Sequence, residues 1–410
     1  MSINQNFPEV SPSLTLDFAN SRRLDPRITF TRSSTATYVG SNGLINTAPV
    51  DEARFDHDPT TGESLGLLIE ESRTNNAFNS EQVNLWSLGE GSVSSNFAES
   101  PIGDQTADKW IPDITNNFHY PKLITTLSST SSVTYSIYAK QAGYRYLLVN
   151  TTAGSSSGNA GPVVDLQDGV VVDNYAATYP TTVTDAGNGW WRIAFTYTGN
   201  GSNLKIDHNP LPTSTIATYT GDNTSGVLLW GVQLEEGSFP TSYIPTTSST
   251  VTRAADVASI EGTNFSSWYN QSEGTVFADA DKSTQQYGGS VWLNNNETVN
   301  RGFSIVNSSI DTLGSYYRGN DNALKSLAFG VANPSNKTAV AFKADSFDLA
   351  GSMNGSAVLT NTLTSIFTTN AMRIGLQRTA GGNEYLNCHI ARLAYYPQRL
   401  TDSQLQNLTK

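Results

Sequence analysis

Apolar and polar residues alternate in short runs along this chain, and each run ends at a turn rich in glycine, proline, asparagine or aspartate. In residues 133–140 the apolar side chains are Val133, Tyr135, Ile137 and Ala139, so they recur every second residue. Such a repeat is typical of a β-strand with one buried face, whereas a helix repeats every 3.6 residues. The pattern predicts an all-β protein built from β-sandwich or jelly-roll domains.

The composition agrees with strands and turns. Charged residues make up only 15% of the 410 residues, and hydrophobic residues make up 37%. Most of the remainder is Ser, Thr, Asn and Gln, of which Ser, Thr and Asn are poor helix formers and good turn or strand residues. We therefore expect few helices.

The chain is long enough for more than one domain. We predict a small strand-and-turn module over residues 1–75 and two β-sandwich domains over residues 76–260 and 261–410. The module has a hairpin signal, because Asn42-Gly43 lies between two short apolar runs. Residues 241–256 are rich in Ser and Thr and are interpreted as a connecting strand or linker.

One short helix is predicted at the C-terminal end. Thr401 and Gln404 have the spacing of a capping box, and Leu400 and Leu405 have the spacing of a hydrophobic staple. These paired signals predict that the helix begins just after Thr401.

Charge and cysteine content limit the partners. The net charge is −12, which argues against nucleic-acid binding. The basic residues Arg22, Arg23, Arg27 and Arg32 alternate with acidic ones, so we interpret them as paired or solvated surface.

Since no stretch approaches 18 consecutive apolar residues, membrane insertion is not expected. The single Cys388 excludes an intrachain disulfide, and we expect folding in a cytoplasm.

Catalytic and metal-binding motifs are sparse. Asp56 and Asp58 are weak metal-ligand candidates, but turn formation is the simpler interpretation because the full EF-hand pattern is missing. A glycosidase needs two carboxylates that flank the sugar, but within each of the adjacent pairs Glu70-Glu71 and Glu235-Glu236 the two side chains would point to opposite faces of a strand. A carboxylate pair assembled from different strands stays open as an alternative. We expect no catalytic residue and no cofactor.

Aromatic side chains near polar turns are the remaining binding candidates. Flat rings can cover the C–H face of a sugar while amides and charged groups bind its hydroxyls. Core packing is the alternative for any of these rings, because aromatic residues also favour strands. The candidate carbohydrate-binding residues are Trp292, Tyr316, Tyr317, Arg318, Asn320, Tyr144, Arg145 and Tyr146. Tyr316 and Tyr317 are expected to face solvent, because glycines flank them.

Several strings resemble bacteriophage tail and fibre proteins. Residues 12–18 (PSLTLDF), 27–38 (RITFTRSSTATY) and 66–75 (GLLIEESRTN) resemble the N-terminal module of that family. Residues 226–256 resemble the last strands of its carbohydrate-binding-module-like jelly roll. Residues 345–396 are similar to its concanavalin A-like or laminin-G-like lectin domains, with residues 399–408 as the closing helix.

The resemblance implies a virion protein of a phage tail fibre or spike, assembled in the host cytoplasm. It also implies a homotrimer that binds host-surface polysaccharide and attaches to other tail proteins through residues 1–75. It supplies no catalytic or ligand motif. Two alternatives stay open: a purely architectural protein that uses lectin-like folds for subunit packing, and a polysaccharide depolymerase.

Overall fold

The computed structural model confirms the all-β prediction, with antiparallel sheets and a short C-terminal helix. It describes residues 10–125, 127, 129–151, 160–176, 178–199, 201, 203–282, 288–295, 302–309, 312–379 and 382–410.

We call residues 10–75 the leader. Its elements, in order, are β1 (Leu14–Asp17), α1 (Phe18–Ser21), β2 (Thr29–Thr31), β3 (Ala36–Val39), β4 (Ile45–Ala48), β5 (Arg54–His57), β6 (Ser64–Ile69) and β7 (Arg73–Asn75). The predicted hairpin is confirmed, because β3 and β4 pair antiparallel with Val39 opposite Ile45, and Gly43 in the turn has a φ of 75°.

The middle sandwich follows a 3₁₀ turn (Val83–Leu85). Its strands are β8 (Ser87–Gly89), β9 (Gly91–Ala98), β10 (Ala107–Pro112), β11 (Asn116–Asn117), β12 (Tyr120–Ile124), β13 (Ser132–Ala142), β14 (Tyr146–Thr151), β15 (Gly161–Asp165), β16 (Val170–Tyr175), β17 (Thr181–Asp185), β18 (Trp191–Thr198), β19 (Lys205–Leu211), β20 (Tyr219–Thr220) and β21 (Gly226–Glu236).

The remaining elements include the strands of the C-terminal sandwich. They are β22 (Val251–Arg253), β23 (Val257–Glu261), α2 (Thr263–Ser266), β24 (Glu273–Asp281), β25 (Gly289–Asn294), β26 (Gly302–Ser309), β27 (Thr312–Arg318), β28 (Leu324–Val331), β29 (Ser335–Lys343), β30 (Asp348–Met353), β31 (Leu359–Thr362), β32 (Ala371–Ile374), β33 (Leu376–Thr379), β34 (Gly382–Tyr385), β35 (Cys388–Tyr396) and α3 (Asp402–Leu408).

Two six-stranded sheets form the middle sandwich. Sheet M1 has the strand order β16-β15-β14-β19-β12-β8, and sheet M2 has the order β17-β18-β13-β21-β10-β9. Leu147 and Ile206 from M1 pack with Tyr135, Phe195 and Leu229 from M2 in one buried cluster. The alternation predicted in residues 133–140 therefore points Tyr135 into the core.

Strands of the leader complete both sheets of the C-terminal sandwich. Sheet C1 has the order β31-β30-β29-β24-β35-β6-β5, with β1 also paired to β35. Sheet C2 has the order β2-β23-β32-β25-β26-β27-β28. Leu16 and Ile69 of the leader lie in the same hydrophobic core as Phe342 and Leu393. The described part of the leader is thus continuous in hydrogen bonding and packing with residues 257–396.

The leader hairpin β3–β4 contacts the middle sandwich as well. Ile45 packs against a cluster that contains Tyr138, Trp230 and Tyr243, and its amide donates to the carbonyl of Pro101 at 2.9 Å. The leader therefore touches both sandwiches.

The C-terminal helix α3 begins as predicted. The amide of Gln404 donates to Thr401 Oγ1, and the amide of Thr401 donates to Gln404 Oε1, which forms the capping box. Leu400 and Leu405 are both buried against sheet C1. None of the helices in the described ranges is long and apolar enough to cross a membrane.

Candidate functional site

A pocket of about 240 Å³ lies on the face of sheet M1 that points away from the sandwich core. The alternation along β14 and β19 produces this face, since Leu147 and Ile206 point inward and their neighbours point outward. We call it the outer-face pocket. It is lined by Phe118, Tyr120, Lys122, Leu148, Asn150, Tyr175, Asp207, Asn209 and Ile216.

A row of three polar side chains crosses the floor of this pocket. In the sheet register, Asp207 of β19 lies opposite Lys122 of β12 on one side and opposite Asn150 of β14 on the other. Asp207 and Asn150 are each only 5% exposed. Within the described part of the chain, Asn150 Oδ1 has no hydrogen-bond partner, while Asp207 Oδ1 faces the ammonium of Lys122 at 3.5 Å. Two buried acceptors therefore lie side by side, and the one on Asn150 lacks a donor, which costs free energy unless a ligand or solvent supplies it.

Aromatic rings form the walls above this row. Phe118 and Tyr120 are half-buried, while Tyr175, at the end of the edge strand β16, is 38% exposed. Lys122 Nζ lies 4.7 Å from the centroid of the Tyr120 ring, which holds the ammonium over the aromatic face. The pocket thus combines flat apolar surfaces with a polar floor.

The charge state of the floor depends on burial. Burial raises the pKa of Asp207, and the nearby ammonium of Lys122 offsets only part of this effect. Lys122 Nζ lies 3.5 Å from Asp207 Oδ1. The carboxylate can accept from hydroxyl or amide donors, and the ammonium of Lys122 next to it can donate.

The predicted residues Tyr144 and Arg145 immediately precede β14, and Tyr146 is its first residue; all three lie outside this pocket. Tyr144 is buried in the sandwich core beside Tyr219, and Arg145 binds the carboxylates of Asp165 and Asp168. Tyr146 packs against a small apolar cluster on the outer face of M1. The side chains of Tyr146, Leu148 and Asn150 are spaced by two residues, so they point to the same face of β14.

The predicted residues of the C-terminal sandwich are divided between its core and its surface. Trp292 and Tyr316 occupy one cross-strand row of sheet C2, on either side of Ser304. Trp292 is buried, Tyr316 and Arg318 are half-buried, and Asn320 is exposed. Asn320 Nδ2 donates to the carbonyl of Ile366 at 2.8 Å. Trp292 and Tyr316 thus share a face of sheet C2.

The expectation that Tyr317 faces solvent is wrong. Its side chain belongs to the hydrophobic core and is 5% exposed, and its hydroxyl oxygen accepts from the amide of Phe367 at 2.9 Å. Since β27 alternates, Tyr316 and Tyr317 must point to opposite faces of sheet C2. The flanking glycines do not place them in a loop, because Gly314 lies inside the strand.

The carboxylates of Asp56 and Asp58, which are the metal-ligand candidates, already accept hydrogen bonds from groups of the protein. Asp56 accepts from the amide of Val39 and lies 2.9 Å from His389 Nε2, while Asp58 Oδ1 accepts from the amides of Thr60 and Thr61. Among the residues that the structure describes, no group of three or more His, Cys, Asp or Glu side chains could hold a metal ion.

The floor residues of the outer-face pocket, Lys122, Asn150 and Asp207, were not among the binding residues predicted from the sequence. One signal was present: residues 205–211 (KIDHNPL) alternate, with Asp207 and Asn209 on one face and Ile206 and His208 on the other. Two polar residues spaced by two on a strand indicate a polar stripe. The partners on β12 and β14 follow only from the sheet register.

No family model matches this sequence, and no curated protein matches it. One solved structure that matches part of the chain is the Ruminococcus gnavus IT-sialidase CBM40 bound to alpha2,3 sialyllactose, with 17% identity, a TM-score of 0.30 and coverage of 34% of this chain and 84% of that chain. Another is the NanB sialidase from Streptococcus pneumoniae, with 16% identity, a TM-score of 0.30 and coverage of 36% and 26%. A third is the receptor binding domain of botulinum neurotoxin mosaic serotype C/D, with 12% identity, a TM-score of 0.26 and coverage of 37% and 38%. Each likeness is confined to little more than a third of this chain.

Proposed function

We propose that this chain is a carbohydrate-binding protein and that its ligand occupies the outer-face pocket. The observation that carries the proposal is the buried acceptor Asn150 Oδ1, which lacks a donor in the described part of the chain, in a pocket that also holds the Lys122–Asp207 ion pair and the rings of Tyr120 and Tyr175. Sugar hydroxyls are donors that can reach neighbouring acceptors, and the C–H face of a sugar packs on an aromatic ring. A saccharide therefore satisfies both the floor and the walls.

We also propose that the binding serves adsorption of a bacteriophage to its host. Support comes from the tail-protein strings at residues 12–18, 27–38, 66–75 and 226–256. In this proposal the chain is a homotrimeric subunit of the virion tail, and its partner is host-surface polysaccharide. Because one pocket of this size binds a sugar weakly, several linked copies would raise the avidity by about 10²- to 10⁴-fold. Attachment to other tail proteins through residues 1–75 is part of the same proposal.

The proposed activity is binding without hydrolysis. Glycosidases use two carboxylates on opposite sides of the scissile bond. Among the described residues that line the outer-face pocket, Asp207 is the one carboxylate. Release of reducing ends from host polysaccharide by the purified protein would contradict this part of the proposal and favour a depolymerase.

Binding to a glycan array and to host lipopolysaccharide or capsule, measured for matched variants, tests the pocket. Tyr175→Ala and Asp207→Asn should each weaken glycan binding by about tenfold, or about 1.4 kcal/mol. Phe97→Ala is the control, because Phe97 is also an exposed aromatic residue but lies on β9 of sheet M2. Glycan binding that Tyr175→Ala and Asp207→Asn leave unchanged would place the ligand elsewhere.

One observation favours subunit packing as a second candidate function. The edge strand β16 exposes three consecutive valines, Val170, Val171 and Val172, at 48%, 37% and 41%. An exposed apolar edge strand can pair with another chain. Light scattering of the unmodified protein and of Val171→Lys tests this function. If the unmodified protein forms an oligomer that Val171→Lys does not form, packing through β16 is supported.

A further inference from the structure

A second and larger groove lies within the leader. Its volume is about 570 Å³, and it is bounded by α1, the β3–β4 hairpin and β5. None of the residues that line it belongs to the outer-face pocket. We call it the leader groove, and the lining residues used below are Arg22, Arg23, Tyr38, Asn46, Asp51, Glu52, Phe55 and His57.

His57 contributes a buried acceptor to this groove. The side chain is only 5% exposed, and its Nδ1 lies 3.2 Å from the carbonyl oxygen of Val39. A carbonyl oxygen can only accept, so Nδ1 carries the proton and Nε2 keeps a lone pair in the neutral imidazole. Nε2 is buried without a hydrogen-bond partner in the described ranges. The lining of the leader groove therefore includes an acceptor that lacks a donor.

Two arginines lie on one side of the groove. Arg22 follows helix α1 as its C-cap residue, and Arg23 comes next; both are exposed. Within the described ranges, no carboxylate lies within ion-pair distance of either guanidinium, in contrast to the nearby Arg27, which binds Asp25 at 2.8 Å. Guanidinium groups are suited to a carboxylate ligand, which they can bind with charge-assisted hydrogen bonds.

The rest of the lining supplies acceptors and rings. Asp51 uses Oδ1 to accept from the amide of Arg32 at 2.8 Å, which orients the carboxylate, and Glu52 next to it is exposed. Tyr38 and Phe55 are half-buried aromatic residues of β3 and β5. Hydroxyl groups of a ligand can donate to these carboxylates and to His57, while the rings cover an apolar face.

We propose that the leader groove is a saccharide-binding site for sugars that carry a carboxylate, such as hexuronates. A neutral sugar would carry no charge to pair with the two arginines. A simple anion would leave the acceptors and the rings unused. An acidic sugar satisfies the arginines, the acceptors and the aromatic residues together. This proposal does not depend on the outer-face pocket.

Calorimetric titration of the full chain with tetragalacturonic acid, and with neutral maltotetraose, tests the site. We expect saturable binding of the acidic tetrasaccharide and at least tenfold weaker binding of the neutral one. Arg23→Gln should weaken tetragalacturonate binding about tenfold. Arg392→Gln is the matched control, since Arg392 is also exposed but is not among the residues that line the groove. The affinity of the Arg392→Gln variant for tetragalacturonate should equal that of the unmodified protein.

A spectroscopic readout separates the groove from other sites. The ¹⁵N resonance of His57 Nε2 should move on titration with tetragalacturonate, because a hydroxyl donor changes the shielding of the unprotonated nitrogen. Asp207→Asn alters the outer-face pocket and not the leader groove, so it should leave this shift of the His57 resonance unchanged.

Several results would overturn the proposal: no binding of tetragalacturonate at millimolar concentration, equal binding of maltotetraose, binding that Arg23→Gln does not weaken, or binding lost in Asp207→Asn. The last result would assign the ligand to the outer-face pocket. Loss in Arg23→Gln alone would support the leader groove even if the outer-face pocket binds nothing.

Discussion

Nη1 of Arg32 lies 3.0 Å from Oδ1 of Asp256, a residue 224 positions later in the chain, and both side chains are fully buried. The other oxygen of Asp256 accepts from Arg54, whose Nη1 donates to Glu70 at 2.7 Å. These four residues form a buried charge network that joins the leader to the end of the linker before β23. The interpretation of Arg32 as surface is therefore wrong, whereas Arg27 is paired with Asp25 as expected.

Removing the central carboxylate of this network should strongly destabilise the protein. Asp256→Asn leaves the buried guanidinium groups of Arg32 and Arg54 without their shared counter-ion, so we expect a loss of about 3–5 kcal/mol in the free energy of unfolding. Asp25→Asn breaks the partly exposed pair with Arg27 and should cost no more than about 1 kcal/mol. Urea unfolding measures both, and equal losses would contradict the assigned role of the network.

Tyr317→Ala should act on stability and not on glycan binding. The substitution leaves a cavity in the C-terminal core and removes the acceptor for the Phe367 amide, so we expect a loss of about 3–5 kcal/mol. Tyr316→Ala, at the half-buried neighbouring position, should cost clearly less. Melting temperature and glycan adsorption of both variants check this. A Tyr317→Ala protein with unchanged melting temperature would contradict the core assignment.

Alkaline pH should weaken the fold through His389. Burial lowers the pKa of this imidazole, but hydrogen bonds to Asp281 and Asp56 outweigh burial and raise the pKa to about 10. Because the folded state holds the proton more tightly than the unfolded state, the stabilisation is complete below about pH 6.5 and is lost as pH rises through about 10. Urea midpoints across this range should fall in the unmodified protein and fall less in His389→Gln. Parallel curves for the two proteins would show that His389 does not carry the effect.

A methyl group at Gly66 should disrupt the pairing of the leader with the C-terminal sandwich. Gly66 has a φ of 98°, and a Cβ there would collide with the carbonyl oxygen of Ile390 on the neighbouring strand β35. We expect Gly66→Ala to cost more than about 2 kcal/mol, because backbone strain of about 1 kcal/mol adds to the clash. Gly262→Ala is the control for strain alone, since its φ is 59° and nothing lies within 4 Å of the added atom. Similar melting temperatures for both variants would argue against the clash.

Features that depend on neighbours in sequence were predictable. The hairpin at Asn42-Gly43 requires a left-handed residue at Gly43, and the capping box requires contacts between Thr401 and Gln404 only. The apolar face of residues 133–140 follows from the alternation of a strand. Each of these predictions was confirmed, because the physical cause lies within a few residues.

The sequence alone therefore determined the all-β class, the hairpin and the capped C-terminal helix. Tertiary structure decided which face of each strand is covered, and so separated the core residue Tyr317 from the half-buried Tyr316. It also buried Arg32 beside Asp256 and brought Lys122, Asp207 and Asn150 together from three strands. The reason is that strand register and sheet stacking, which set these contacts, join residues far apart in the chain, and local alternation specifies only that two faces exist.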